Sequence, residues 1–135
     1  MSSLILTTTT GIWGAVVPPE DVVMTGTTDP QVRARFLMRK GQRLLKAGHP
    51  EEGLNSLRRG LDLALQHQLR APAAAGLLNI GVAFRYLDQP DSALRYLEKA
   101  RDVYARYGNS RAAVVASEHL RSVRQALETK ARPSR

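Results

Sequence analysis

From residue 29 onward, apolar positions recur every three to four residues and are interrupted at intervals by Pro and Gly, the pattern of amphipathic helices. Asp29-Pro30 predicts a helix start: a carboxylate able to cap free N–H groups, then a proline where its missing N–H costs nothing. Leu37, Gly41 and Leu44 follow on one face, and Gly48 suits the stop. Pro50 opens a second helix, with Glu51 and Glu52 at its positive end and Leu54, Leu57, Leu61, Ala64 and Leu65 as its buried stripe. Pro72 predicts the start of a third helix that ends near Leu87. Pro90 and Asp91 open a fourth, carrying Ala93, Leu94, Leu97, Ala100 and Tyr104, and Gly108 closes it. Asn109 or Ser110 caps a fifth. The pattern therefore predicts five helices over roughly 30–47, 50–67, 72–87, 90–107 and 110–130.

The chain also repeats itself. Shifted by 40, residues 34–67 overlay 74–107, with Ala34/Ala74, Leu37/Leu77, Gly41/Gly81, Pro50/Pro90, Leu54/Leu94, Leu57/Leu97 and Asp62/Asp102 identical. Seven matches in 34 pairs exceed the roughly two or three that this composition gives by chance. Small residues also fall opposite small residues, at Gly53/Ala93 and Gly60/Ala100. Small side chains mark the places where two packed helices come closest. A period near 40 with two helices per unit predicts a helical solenoid.

The residues Leu77-x-x-Ile80-Gly81-x-x-Phe84 and Ala93-x-x-x-Leu97-x-x-Ala100 resemble the tetratricopeptide repeat, as do Leu37, Gly41, Leu44, Gly53, Leu57 and Gly60 in the first unit. Lys40 stands where that repeat has an aliphatic residue, and Ala105 where it has a late proline. The period is longer than the usual 34, and residues 68–73 read as an insertion between the units. The resemblance implies an all-α, short right-handed solenoid: two helix pairs followed by a C-terminal capping helix, with a Thr-rich N-terminal tail. The fifth helix predicts an apolar side of Ala112, Val115, Ala116, His119, Val123, Ala126 and Leu127, with Arg121 and Arg124 on the polar side. Such a helix closes a stack and keeps its end soluble.

Composition separates residues 1–28 from the helical body over 29–130 and the basic end over 131–135. Seven of the eight threonines precede Asp29, and the stretches around Leu4-Ile5-Leu6 and Ile12-Trp13 are rich in strand formers. This tail is expected either as loosely ordered chain or short strands, or docked on the body through Trp13. It lacks the basic start and unbroken apolar run of a secretory signal, which points to a cytoplasmic protein. Residues 1–30 carry a charge of −3, and residues 31–135 hold all 20 basic groups and +11. Sixteen of those cations are arginine, so a merely solvated basic face remains an alternative to a binding one.

The absence of cysteine excludes disulfides, a thiolate zinc site and a cysteine nucleophile. His49, His67 and His119 are scattered, and no zinc-protease, nucleophile-elbow or phosphate-loop motif occurs. No catalytic residue, metal site or cofactor is expected. What the resemblance implies is a concave groove lined by the first helix of each pair and able to hold an extended peptide. On the first helix, Arg35, Arg39, Gln42 and Lys46 share one face by their 4, 3, 4 spacing. On the third, Asn79 stands where peptide-binding members grip the ligand backbone, and Arg85 and Tyr86 are placed to meet an acid and an apolar side chain. Met38 and Gln42 replace the Lys and Asn of the chaperone-binding members, so a chaperone C-terminus is not the expected ligand.

These residues predict a protein-interaction module, a scaffold or adaptor taking an acidic extended or helical segment. Nucleic-acid binding through the basic surface and a regulatory subunit of a larger signalling system are the alternatives. Self-association stays open, because two units and a cap fall short of the three repeats that stand alone readily. No membrane span is expected.

Overall fold

The helix starts keep strict time. The computed structural model describes residues 29–132; the tail 1–28 and residues 133–135, with the expectations placed on them, lie outside the described residues. Five helices run over Pro30–Lys46 (α1), Pro50–Gln66 (α2), Arg70–Tyr86 (α3), Pro90–Arg106 (α4) and Ser110–Ala131 (α5). Each begins 20 residues after the one before. Asp29 caps α1 by accepting the Gln31 N–H at 2.9 Å, and the Asn109 side chain accepts the Ala112 N–H at 3.1 Å on α5.

The same three-residue joint is used four times. Its middle residue is left-handed: Gly48 (φ 86°), Gln68 (φ 55°), Asp88 (φ 54°) and Gly108 (φ 72°). The next N–H then reaches back five residues, from His49 to Leu44 O, Leu69 to Ala64 O, Gln89 to Phe84 O and Asn109 to Tyr104 O, at 2.8–2.9 Å. This satisfies carbonyls that the helix end would otherwise leave bare.

The third helix differs from its expected start at Pro72. It begins at Arg70, so residues 70–73 are its first turn and not an insertion between units. Pro72 is buried in that turn, where N–H groups have no intrahelical partner to lose. The long period is shared by all the helices. Residues 47, 67, 87 and 107 belong to joints, and α5 runs on to Ala131.

α1 packs on α2 and α3, α3 on α4 and α5, and α2 and α4 each on the helix that follows it. The outcome is one layer of α1, α3 and α5 and a second of α2 and α4. Leu57, Ile80, Leu97 and Leu120, one from each of α2 to α5, are its largest fully buried side chains. α1 and α2 meet where both lack a β-carbon: one added to Gly53 would stand 2.9 Å from Gly41 O. Met38 reaches from α1 into the seam between α2 and α3, its Cε 3.1 Å from a β-carbon on Gly60 and 2.6 Å from one on Gly76.

The buried stripe of α5 is rotated from the expected one. Ala116, Leu120 and Val123 are buried, with Leu127 packed beside them, while Val115 and Ala126 are exposed. Ala116, Val123 and Leu127 belong to both stripes, and Leu120 takes the core place expected of Val115 and Ala126. No helix among the described residues is long and apolar enough to cross a membrane.

Candidate functional site

The layer of α1, α3 and α5 collects the polar side chains that sequence reasoning singled out. Gln42 Nε2 donates to Asn79 Oδ1 at 3.2 Å, joining α1 to α3. Asn79 is half-buried and Gln42 is exposed. Arg35, Arg39 and Lys46 are exposed on the α1 face that carries Gln42. Among the described residues no ion pair involves these three; those seen are Arg101–Asp102, Arg124–Glu98 and Lys130–Asp88.

Charge is sorted between the layers. α1, α3 and α5 together hold twelve cations and two acids, Glu118 and Glu128, both on α5, whereas α2 and α4 hold six of each. The +11 of the body therefore does not belong equally to both faces.

Arg85 has partners that the sequence did not suggest. Its Nη1 lies 2.8 Å from His119 Nδ1, and its Nη2 donates to Ser122 Oγ at 3.0 Å. Arginine can only donate, so Nδ1 is the acceptor and the neutral ring carries its proton on Nε2. Burial pushes the His119 pKa below its usual value, the Arg85 charge lowers it further, and Glu118 opposes both. Arg85 is thus tied to α5 and does not stand as a lone cation. Tyr86 is 64% exposed at the end of α3 and adds an uncovered ring to the same layer.

His119 and Ser122 are the functional candidates that the sequence reading missed. Shifting once more by 40 finds them: Arg39, Asn79 and His119 share one register, and Gln42, Val82 and Ser122 another. The same shift explains the cap. Ser117, Arg121 and Arg124 occupy the places where Leu37, Gly41 and Leu44 receive α2 and Leu77, Gly81 and Phe84 receive α4. Arg121 and Arg124 are exposed, and Arg124 donates to Glu98 on α4 at 3.1 Å.

Tyr96 and Tyr104 are structural. Tyr96 lies with its ring centroid 5.5 Å from that of Phe84, and burial raises the Tyr104 pKa. Among the described residues, no group of three or more His, Asp and Glu side chains is placed to hold a metal ion.

Helix pairs of this kind, stacked in two layers, are seen in the crystal structure of the tetratricopeptide-repeat (TPR) domain of Arabidopsis FLU. The two superimpose with a TM-score of 0.55 at 14% identity, over 74% of this chain and 98% of that one. The chain has the TPR fold. No protein-family model matches the sequence, and no curated protein matches it. The TPR likeness rests on shape and on the small and apolar residues that fix the helix crossings.

Proposed function

We propose that this TPR domain is a protein-interaction module whose α1–α3–α5 layer binds an acidic extended segment of a partner protein. The observation that carries the reading is the sorting of charge: twelve cations against two acids on α1, α3 and α5, and six of each on α2 and α4. Arg35, Arg39 and Lys46 supply positive charge along α1. Like charges held near one another favour an anionic partner, both in encounter rate and in orientation. The Gln42–Asn79 pair supports an extended ligand. Their mutual bond uses one donor and one acceptor, leaving Asn79 an amide donor and Gln42 an amide acceptor for a ligand peptide group.

The test is a double reversal, Arg35→Glu with Arg39→Glu, read by fluorescence anisotropy with a labelled glutamate-rich peptide. Both residues are exposed, so stability should stay within about 0.5 kcal/mol, while binding should be lost. Binding that survives, or that is lost instead on changing Arg121 and Arg124, places the site elsewhere. A ligand preference for single-stranded nucleic acid, with affinity falling steeply as salt rises, would favour the nucleic-acid reading.

A further inference from the structure

We propose that Arg85, His119 and Ser122 form an acid-binding subsite that takes one glutamate side chain of the bound segment and takes up a proton with it. The inference rests on the reading of the layer as the surface for an acidic segment. Arg85 stands beside a cleft of about 210 Å³, lined also by Pro90, Ser122, Val123, Leu127 and Lys130. A glutamate fits its chemistry: the carboxylate meets the guanidinium and the Ser122 hydroxyl, and the methylenes lie along Val123 and Leu127. At the other end of the cleft Lys130 is 3.8 Å from Asp88, which occupies that cation.

In the free protein Arg85 spends its two outer nitrogens on Nδ1 of a neutral imidazole and on a hydroxyl. Both are weaker acceptors than a carboxylate, which accepts a guanidinium through two parallel charge-assisted bonds. An arriving carboxylate therefore displaces His119 Nδ1 from Arg85. The released nitrogen has a lone pair free to take a proton, and the imidazolium then donates to the same carboxylate. One exchange turns a contact between a cation and a neutral base into two cations around one anion.

The charged groups around His119 support this order of events. Arg85 from α3 opposes its protonation, and Glu118 on α5 favours it. From α4, Glu98 is engaged with Arg124 on another side of α5. Neutralising the Arg85 charge removes one of the two influences that hold His119 unprotonated, so binding raises its proton affinity. By linkage, acidification must then tighten binding.

The probe is a fluorescein-labelled hexaglutamate peptide, titrated by anisotropy into the full chain at pH 7.5 and pH 6.0, where glutamates stay largely ionised. Affinity should rise on acidification by roughly three- to tenfold, each unit of raised pKa being worth at most about tenfold. His119→Asn keeps an acceptor for Arg85 but cannot take a proton; whatever its affinity at pH 7.5, it should lose the pH response. Arg85→Gln should weaken binding at both pH values. An unchanged pH response in His119→Asn, or a flat profile in the parent, overturns the subsite while leaving the basic layer standing. Binding that ignores the Arg35 and Arg39 reversal yet keeps the His119 response overturns the α1 reading instead. No binding of the peptide at either pH overturns both.

Discussion

A β-carbon placed on Gly81 would stand 2.7 Å from Leu97 Cγ, just as one on Gly41 would stand 2.5 Å from Leu57 Cγ. The two helix pairs thus cross by the same device: a leucine of the second helix seated in the notch left by a missing side chain. Gly81→Leu should destabilise the protein by about 1–3 kcal/mol through overpacking. Leu97→Ala should partly rescue Gly81→Ala, because the two residues compete for one space and their effects cannot add. Urea unfolding of the single and double variants checks this; simple additivity would refute the seating.

Gln68 holds a conformation that two of the other joints give to glycine. A left-handed backbone costs a residue with a β-carbon about 1–2 kcal/mol, and glycine's freedom in the unfolded chain takes back part of that. Gln68→Gly should therefore stabilise by about 0.5–1 kcal/mol, and Gly48→Gln should destabilise by a similar amount. A lower urea midpoint for Gln68→Gly would contradict the shared joint.

Stability should depend on pH through His119. Its folded pKa is depressed by burial and by Arg85, so the unfolded chain binds the proton more readily. The associated stability is complete above the ordinary histidine value near 6.5, and it is lost as pH falls through that value toward the folded one. Comparing melting curves of the parent and His119→Asn between pH 8 and pH 5 isolates the effect, since His49 and His67 are present in both. Parallel curves would rule out the linkage.

Removing residues 1–28 should leave the helical circular dichroism almost intact. Asp29 and Pro30 make the cap and first turn of α1, so the shortened chain keeps its own start signal. A large fall in melting temperature would show that the tail contributes to the packing of the helices.

The sequence made the helix starts at 30, 50 and 90 legible because proline announces them, and the stops at 48 and 108 because glycine does. The start of α3 was misplaced for the same reason. Pro72 pulled the boundary to itself, while Leu69 offers no side-chain cap and Gln68 no glycine signal. In α5 the expected and observed stripes share Ala116, Val123 and Leu127, and only packing decided for Leu120 over Val115 and Ala126. Of the candidate site, the repeat shift placed Gln42 and Asn79 on one surface, and they do touch. The engagement of Arg85 with His119 and Ser122 spans 34 and 37 residues. It depends on how α5 is turned, which local pattern left open.

The last helix has a consequence for how long such an array can be. A stack of like units has no inherent end; each free face invites another copy, and unlimited addition makes fibres. On α5, Ser117, Arg121 and Arg124 stand in for the two apolar residues and the glycine that seat a partner helix on α1 and α3, so this face does not offer a further helix the same apolar seat. Arg124 also binds back to Glu98 on α4, so this face is tied down as well as polar. With leucine, glycine and leucine at those three places, α5 would carry the same seat as α1, and an exposed apolar face would invite the helix of another copy.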